Sequence, residues 1–420
     1  MVKEIRISNM YSIKDEIVLD MTAGSSKSKN MRQLQSNCFD ANGESVLKSV
    51  AIYGANASGK SNIIKAIRFC CMMILNSHNH TQDAVFNFLP FKYEGYPAKE
   101  STFFIRFVTK DIEYEYSFSM TTCEIVSEEL YYYPRGRRAT IFTRNERLSK
   151  DKHKIYHFTS VIKRPMDVAV NTSRKTLFVS RASQMDRDVA KDIYLFFKEY
   201  VLFSGSIRIE DVEKLFYSSK STLLEALRIA DCDITDIKLK KEKVKNKNIN
   251  ADFINNTASI NEDERDLLKF TTFHRNNENV SFDLNKEESS GTVSLFYNML
   301  YIIDIVRNGK LLLWDEIEQS LHSKIVEYIF SIFNKSKSAQ LICTTHNTNL
   351  LDLGRLRKDQ IYFVNKKEDG SSDLYSLYDY KDFRENMDLE KAYLQGRFDA
   401  IPYINDSQAN INRILSDEEN

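Results

Sequence analysis

The feature that most constrains this chain is a glycine-bounded loop between an apolar run and a helical pattern. The apolar run Val50–Tyr53 leads into Gly54–Ser61, which has the spacing G-x-x-x-x-G-K-[ST], and a helical stretch begins at Asn62. Glycine permits backbone angles that turn successive N–H groups inward, and the positive end of the following helix points at the same place. The stretch therefore predicts a strand, a phosphate-binding loop and a helix.

Two side chains of the loop have expected roles in binding a nucleoside triphosphate. Lys60 is expected to reach the β and γ phosphates, and the Ser61 hydroxyl to ligate Mg²⁺. A chance glycine-rich turn is the alternative, but the chain has only 12 glycines in 420 residues, which disfavours it. The predicted nucleotide-contacting residues are Gly54, Ala55, Asn56, Ala57, Ser58, Gly59, Lys60, Ser61 and Asn62.

The charge balance argues against a nucleic-acid binder that depends on overall basicity. The chain has 59 lysine plus arginine residues and 59 aspartate plus glutamate residues. Binding of nucleic acid would therefore have to depend on a local basic patch. The longest candidate for a membrane span, Leu295–Val306, is too short and is interrupted by Asn298 and Asp304. Cysteines without a C-x-x-C pair, and an N-terminus that alternates like a strand, favour a cytoplasmic protein without a signal peptide.

Hydrophobic periodicity predicts the order of secondary structure along the chain. The expected elements are two strands over 1–21, a loop over 22–45, the phosphate-loop helix to about Leu75, antiparallel strands over 86–143 and helices over 150–230.

Three polar segments have a plain structural interpretation and a functional alternative. Lys238–Lys247 predicts the exposed end of a strand, followed by a flexible Asn-rich loop to about Ala258, with nucleic-acid contact as the alternative. Tyr131–Arg138 predicts a solvated hairpin tip, and stacking on nucleic acid is its alternative. His78 and His80 predict a polar helix exit, because this pair alone lacks a full set of metal ligands.

A second part of the site is predicted where another apolar run ends in two carboxylates. Lys310–Trp314 has the pattern of a buried parallel strand, and ligands bind at the carboxyl ends of such strands. Asp315 is expected to hold the Mg²⁺ shell in the Walker B role, and Glu316 to act as general base on the attacking water. A strand that runs into an acidic turn is the alternative. Since most of the chain separates Lys60 from this pair, the core is predicted to be split by an insertion.

Two more motifs flank the acidic pair. Ser289, Ser290 and Gly291 precede an apolar-periodic helix and predict a second anion-binding turn, with an ordinary serine-capped helix start as the alternative. Gln340–His346 predicts a buried strand that ends in a histidine. His346 is expected to contact the γ-phosphate, and a structural histidine with its hydrogen bonds satisfied is the alternative.

With these motifs, the chain resembles the ABC-type ATPase fold of the SMC, RecF and OLD branch. It more closely resembles the AAA-ATPase-like proteins of bacterial abortive infection and anti-phage defence, which include RloA-like proteins. The stretches that carry the resemblance are Ile5–Ser12, Gly54–Asn62, Phe178–Gln184, Glu288–Thr292, Asp315–His322, Thr344–Asn349, Asp359–Val364 and Gly396–Pro402.

The resemblance implies an α/β fold: a P-loop ABC-type ATPase head with a mixed β-sheet core, an N-terminal-half β-subdomain and an inserted helical lobe. The expected domains are ATPase lobe I with the β-subdomain over 1–145, a mainly helical arm with a flexible lysine-rich loop over 146–280, and ATPase lobe II over 281–420.

The resemblance also implies two copies packed head to tail, with each ATP between one copy's phosphate loop and Ser290 and Gly291 of the other. ATP would close this homodimer or larger homo-oligomer, and hydrolysis at Glu316 would open it. The signature differs from the transporter type, so which signature serine contacts the γ-phosphate is left open. The assignment of a Q-loop glutamine to Gln82 or Gln184 is open as well.

The expected function is that of an Mg²⁺-dependent ATPase with Lys60, Glu316 and His346 as catalytic residues and Ser61 and Asp315 as metal ligands. It would serve as the sensor or regulatory subunit of an anti-phage system and control a separate effector, a nuclease, since the segment after His346 has no D-x-D following an apolar strand. The alternative is a DNA-repair or DNA-clamping ATPase of the RecF or SMC type. The neutral charge favours the first, and a DNA titration across salt separates them.

Overall fold

The structure, a computed structural model, describes residues 1–25, 28–93, 95–205, 209–252, 257–275, 277–380, 382–384 and 387–415. The strands are β1 (Val2–Ser8), β2 (Ile17–Asp20), β3 (Cys38–Ala41), β4 (Glu44–Leu47), β5 (Ser49–Gly54), β6 (Ser101–Thr109), β7 (Ile112–Met120), β8 (Ile125–Tyr132), β9 (Ala139–Asn145), β10 (Tyr156–Phe158), β11 (Val201–Phe203), β12 (Ile234–Asp252), β13 (Thr257–His274), β14 (Asn277–Asp283), β15 (Leu311–Trp314), β16 (Gln340–Thr344), β17 (Ile361–Lys366) and β18 (Ser372–Ser376). The helices are α1 (Lys29–Gln33), α2 (Lys60–Asn76), α3 (Lys152–Ile155), α4 (Pro165–Ala169), α5 (Phe178–Gln184), α6 (Asp188–Glu199), α7 (Ile209–Ile229), α8 (Ser290–Arg307), α9 (Ser323–Lys335), α10 (Leu389–Leu394) and α11 (Gln408–Leu415).

A mixed sheet in the order β11–β15–β16–β5–β17–β18 forms the centre of the fold. Neighbours from β11 to β17 run parallel, whereas β18 is antiparallel to β17. Every residue of β5 and β15 is buried, which explains their continuous apolar sequences. Because parallel strands end on the same side of a sheet, the segments that follow β5, β15 and β16 meet at one edge.

A second, antiparallel sheet in the order β10–β9–β8–β7–β6–β1–β2 contains the hairpin strands predicted between residues 86 and 143. Buried and partly exposed residues alternate along β6, as expected for a sheet with one face on the core. Helix α2 contacts β1 of this sheet and β5 and β16 of the mixed sheet. The phosphate-loop helix is therefore fixed by strands of both sheets, and the predictions of a mixed α/β core and an N-terminal-half β-subdomain are confirmed.

Contacts within the chain divide it into two compact units. The first comprises Met1–Phe203, Lys310–Ile317 and Phe333–Asn420, and the second comprises Ser204–Gly309 and Glu318–Ile332. The first unit contains both large sheets. The second contains α7, α8, most of α9 and the sheet β12–β13–β14. The three-part division of the sequence stays a prediction.

The core of the second unit is built where α7, α8 and β13 meet. The Phe270 ring lies 5.2 Å from that of Phe216 and 4.8 Å from that of Phe296, measured between centroids. From this base, β12 and β13 continue as a long antiparallel hairpin. The inserted region predicted as mainly helical thus contains α3 to α7 and the short strands β10 and β11 up to Ile229, and it is β-structured from Ile234.

The lysine-rich segment forms part of β12, which pairs with β13. Lys243 faces Asp266 across the hairpin, and Lys241 Nζ lies 3.0 Å from Asp266 Oδ2. Opposite charges on directly facing residues stabilise a sheet, typically by about 0.2–1 kcal/mol per pair. The prediction of a strand here is confirmed.

The prediction of a flexible Asn-rich loop to about Ala258 is wrong for the described residues. The pairing continues to Asp252 and Thr257, and the remainder of that loop, 253–256, lies outside the described residues.

The prediction of a loop over 22–45 is also wrong, because this segment contains α1, β3 and the first half of β4. Ser28 caps α1 by accepting from the Met31 N–H, and β3 pairs with β4. The elements are short, so their periodicity is lost among Ser, Asn and Lys residues.

The structure agrees with the predicted hairpin tip at Tyr131–Arg138 and with the predicted polar helix exit at His78 and His80. Arg138 stacks 3.5 Å from the Tyr131 ring centroid and its Nε donates to Glu115 at 2.7 Å, at the turn between β8 and β9. His78 lies 3.1 Å from Ser180 Oγ, and the ring of His80 lies 3.0 Å from a carbonyl oxygen. None of the helices in the described ranges has the length and apolar character to cross a membrane.

Candidate nucleotide-binding site

The loop between β5 and α2 has a conformation that requires glycine at two positions. Gly59 has a φ of +107°, and a Cβ there would lie 2.0 Å from Ser372 Oγ and 2.6 Å from Ser12 Oγ. A Cβ at Gly54 would lie 2.6 Å from Ser58 Oγ and 2.7 Å from a carbonyl oxygen of β17. Side chains at both positions are excluded by close packing, and at Gly59 also by the left-handed backbone.

Polar side chains outside the loop hold it from behind. Ser372 Oγ donates to the carbonyl oxygen of Ser58 (2.6 Å) and lies 2.7 Å from Ser12 Oγ. Asn62 Nδ2 donates to Ser12 Oγ at 2.8 Å. Ser12 lies in a stretch that carries the family resemblance, but nothing in the sequence distinguishes Ser372 from other serines. It begins β18, far along the chain from the loop it supports.

An ion pair fixes the two turns that supply these serines. Lys14 Nζ donates to Asp369 Oδ2 at 2.8 Å. The hydrogen bond from Lys14, with further bonds from Ser371, holds the pKa of the Asp369 carboxyl well below its usual range. The turn after β1 and the turn between β17 and β18 are therefore joined behind the phosphate loop.

The Lys60 ammonium lies inside the loop. Its Nζ donates to the carbonyl oxygens of Gly54 (2.8 Å) and Ala55 (3.1 Å), and the residue is 6% exposed. Ser58 Oγ is buried without a hydrogen-bond partner among the described residues. Leaving such a hydroxyl unpaired costs about 1–3 kcal/mol. A phosphate oxygen within the loop would accept from it, so the residues fit a phosphate-bearing ligand.

The predicted metal ligands from distant parts of the chain lie in contact. Asp315 Oδ1 accepts from Ser61 Oγ at 3.1 Å and from Thr344 Oγ1 at 2.6 Å. Ser61 begins α2, Asp315 follows β15 and Thr344 ends β16. These elements meet because β15, β16 and β5 are parallel neighbours. A hydroxyl and a carboxylate are hard oxygen donors of the kind that Mg²⁺ prefers, so this pair fits that ion.

Glu316 follows Asp315 in a constrained backbone conformation. Its φ is +54°, in the left-handed region that non-glycine residues rarely adopt. The Glu316 N–H donates to Thr344 Oγ1 at 2.7 Å, and the N–H of buried Ile317 donates to the Thr344 carbonyl oxygen at 3.1 Å. These bonds hold the Glu316 backbone while its side chain is exposed. Strain of this kind concentrates at functional sites.

His346 lies at the same edge, two residues after β16 ends. The preceding Thr345 is buried, and its N–H donates to the Ile52 carbonyl oxygen of β5 at 3.0 Å. His346 itself is exposed. The histidine is thus placed next to the strand that leads into the phosphate loop.

The serine-glycine turn belongs to the second unit and forms the start of α8. Ser289 is the N-cap, and its Oγ accepts from the Thr292 N–H at 3.1 Å. Behind the turn, Glu288 Oε1 lies 2.9 Å from His274 Nε2. Ser290 and Gly291 form the first helical turn, where backbone N–H groups are available to an anion. Ser289 thus caps the helix as the capped-helix alternative describes, and its contact with a nucleotide stays a prediction.

Residues 49–352 match a protein-family model described as "AAA domain, putative AbiEii toxin, Type IV TA system". The chain belongs to this family. The match extends from β5 to the segment just after His346, so it spans every motif of the site. The prediction of an AAA or ABC-type ATPase is confirmed at this level, while the RloA-like assignment stays a prediction. Among curated proteins, none matches the sequence.

Several solved structures of SMC head domains are similar to this AAA-family chain. The SMC head domain from Thermotoga maritima has 13% identity, covers 89% of this chain and 98% of its own, and gives a TM-score of 0.40. An SMC head bound to the C-winged helix domain of ScpA has 15% identity, coverages of 93% and 99% and a TM-score of 0.43. A third, with an extended coiled coil bound to the C-terminal domain of ScpA derived from Pyrococcus furiosus, has 16% identity, coverages of 94% and 98% and a TM-score of 0.38. Likeness at this level carries no conclusion about function.

Proposed function

We propose that this AAA-family chain is a cytoplasmic, Mg²⁺-dependent ATPase that acts as the regulatory subunit of a bacterial anti-phage system. The observation that carries the proposal is the convergence of two hydroxyls on Asp315 Oδ1, from Ser61 at 3.1 Å and from Thr344 at 2.6 Å. It supports a metal site directly beside the first turn of the phosphate-loop helix.

The residues around the loop would bind and orient the triphosphate. Bound Mg²⁺ would neutralise charge that develops on the phosphate oxygens. Ser61 and Asp315 would hold it, and the Ser58 hydroxyl would gain the acceptor it lacks. Lys60 would exchange the carbonyls of Gly54 and Ala55 for β and γ phosphate oxygens, a change that replaces neutral acceptors with charged ones.

Glu316 would act as the general base. Its carboxylate is exposed next to a metal ligand, and its backbone is fixed by bonds to Thr344 and by the burial of Ile317. A fixed carboxylate can accept a proton from a water that is aligned with the γ-phosphate. His346, which is exposed at the same edge, would contact the γ-phosphate and help to hold it.

ATP would also promote association of protomers. Ser289 caps α8, so we assign the γ-phosphate contact with a second copy to the Ser290 hydroxyl and the Gly291 N–H. Hydrolysis would remove this phosphate and weaken the association. The family description, which names a toxin and a toxin–antitoxin system, supports control of a separate effector, and we propose a nuclease partner.

The decisive experiment compares ATP turnover and self-association in Glu316→Gln and wild type. We expect the variant to bind ATP, to lose at least a hundredfold in turnover and to accumulate an ATP-dependent dimer in light scattering. Lys60→Ala should fail to bind ATP. This control shows whether turnover and association depend on ATP bound at this site. Wild-type turnover in Glu316→Gln would disprove the general-base assignment.

The same purified protein tests the DNA-clamping alternative. Lys240 is paired with Glu242, and Lys241 with Glu213 and Asp266, so these cations are already compensated and we expect weak DNA binding with a shallow salt dependence. Tight binding that falls steeply with salt would favour the clamp. Activity of the defence system when the ATPase and a co-expressed nuclease partner are both present, and its loss in Glu316→Gln, would support the regulatory role.

A further inference from the structure

An open pocket of about 800 Å³ lies in the first unit, beyond the end of α2 that is opposite the phosphate loop. Its wall is joined to that end, since the Lys175 carbonyl oxygen lies 3.0 Å from the His80 ring. Because α2 has 17 residues, it separates the pocket from the phosphate loop by about 25 Å. The charged residues that line the pocket are four cations and two carboxylates: Lys150, Lys152, Arg174, Lys175, Glu124 and Glu146.

Two of the lining cations are held in place by the two carboxylates. Glu146, whose side chain is 4% exposed, lies 3.0 Å from Lys152 Nζ and 3.1 Å from Arg174 Nε. Arg174 Nη1 also donates to Glu124 Oε2 at 2.8 Å. The guanidinium is therefore fixed between two acidic side chains, and its direction does not depend on a ligand.

The backbone that carries the other part of this wall is held by a buried arginine. Arg144 donates to the carbonyl oxygens of Thr176 (2.7 Å) and Ser173 (3.1 Å). Its own charge is met by Glu146 at 2.8 Å and by Glu128 at 3.4 Å. The wall is thus formed in advance, which lowers the entropic cost of binding a ligand there.

The remaining two lining cations are not neutralised in this way. Within the part of the chain that the structure describes, Lys150 and Lys175 form no ion pair. Lys150 is exposed, and the Lys175 ammonium lies 5.2 Å from the Phe86 ring centroid. Since the four lining cations exceed the two lining carboxylates by two, the pocket has a positive surplus. A phosphate monoester, with a charge of about −1.5 to −2 at pH 7, matches that surplus.

We propose that this pocket binds a small molecule that bears a phosphate group. Lys150 and Lys175 would contact the phosphate oxygens. Arg174 uses three of its five N–H donors on Glu124 and Glu146 and would offer another to the ligand. The volume lies within the range of about 300–1,000 Å³ that is usual for small-molecule sites. This site is separate from the proposed ATP site, and the proposal does not depend on ATPase function.

Calorimetry with inorganic pyrophosphate tests the proposal in the full-length Lys60→Ala chain, where the phosphate loop should not contribute. At physiological salt we expect saturable binding of one pyrophosphate per chain, and Lys150→Glu and Lys175→Glu should each weaken it at least tenfold. Lys163→Glu, at an exposed lysine that does not line the pocket, changes the net charge equally and should weaken binding less than twofold. No binding at millimolar pyrophosphate, or equal weakening in all three variants, would overturn the proposal.

Cys123 provides a measurement that locates the ligand. Of the six cysteines, all within the described ranges, Cys123 alone is exposed, and it lines the pocket. We expect pyrophosphate to slow its alkylation by iodoacetamide at least fivefold in Lys60→Ala, and to have no effect once Lys175→Glu is added. Unchanged alkylation at saturating pyrophosphate would place the ligand elsewhere and contradict the proposal. Protection by an oligonucleotide with a terminal phosphate, but not by pyrophosphate, would also overturn it, in favour of a nucleic-acid end.

Discussion

Thr344 Oγ1 lies 2.6 Å from Asp315 Oδ1 and also accepts the Glu316 N–H at 2.7 Å. One hydroxyl at the end of β16 therefore orients both the predicted metal ligand and the backbone of the predicted general base. In the predicted scheme it acts through Asp315 and Glu316, so it is a positioning residue. Groups of this type commonly change metal affinity or activity by about 10–100-fold.

We expect Thr344→Val to lower ATP turnover by about 10–100-fold and to raise the Mg²⁺ concentration needed for half-maximal activity. Valine keeps the shape but removes both hydrogen bonds. Thr344→Ser restores the hydroxyl and should recover most of the activity. A Mg²⁺ titration of turnover measures both effects. A loss with unchanged Mg²⁺ dependence in Thr344→Val would argue that the residue is only structural.

Gly59→Ala should abolish nucleotide binding. An alanine Cβ would overlap Ser372 Oγ and Ser12 Oγ, and its backbone would keep a φ of +107°. Gly43 also has a positive φ, of +83°, but a Cβ there meets nothing within 4 Å. Gly43→Ala should therefore cost only about 1–2 kcal/mol of stability and leave binding intact. Fluorescent-nucleotide titration and thermal melting separate the two variants, and equal loss of binding in both would show that packing at Gly59 is not decisive.

Glu146 provides a pH-dependent test of the β-subdomain. Burial opposes ionisation of its carboxyl, but buried Arg144 and the hydrogen-bonded Lys152 outweigh burial and lower its pKa. The unfolded chain therefore takes up this proton first as the pH falls. Its contribution to stability is complete above the unfolded-state pKa, about 4.3, and is lost as the pH falls through the lower folded-state value.

Glu146→Gln should accordingly lower the free energy of unfolding at pH 7 by about 1.5–3 kcal/mol, because Arg144 loses the charged partner at 2.8 Å and keeps, among the described residues, only Glu128, at 3.4 Å. The difference from wild type should shrink below about pH 4, where the wild-type carboxyl protonates. Urea unfolding at several pH values measures it. Glu368→Gln, at an exposed turn, is the control, and a constant difference across pH would contradict the assignment.

The paired charges of the long hairpin predict a coupling between strands. Lys243 faces Asp266 across β12 and β13. Lys243→Glu and Asp266→Lys each place like charges opposite one another, and the double variant restores opposite charges. We expect a favourable coupling energy of roughly 0.2–1 kcal/mol, measured by hydrogen exchange of the hairpin amides and reduced in 1 M salt as screening increases. Strictly additive effects would show that the facing charges do not interact.

The local parts of the site were predictable from sequence. The phosphate loop can be recognised from a short stretch of sequence, since Gly54, Gly59, Lys60 and Ser61 lie close together in the chain and determine the local backbone geometry. Buried strands before Asp315 and His346 were recognisable because parallel strands are apolar throughout. The sequence does not reveal the short elements within 22–45, since α1 and the strands β3 and β4 are too short to show a periodicity among their polar residues.

The sequence by itself determined the phosphate loop, the acidic pair and the strands that carry them, because each depends on neighbouring residues. Only the tertiary structure decided that Ser372 and Ser12 support the loop, that Thr344 orients Asp315, and that Asp266 faces Lys243 across the long hairpin. These relationships join residues far apart in the chain, and they arise from strand order and register. Chain spacing does not encode strand order and register directly, since both depend on how whole sheets pack.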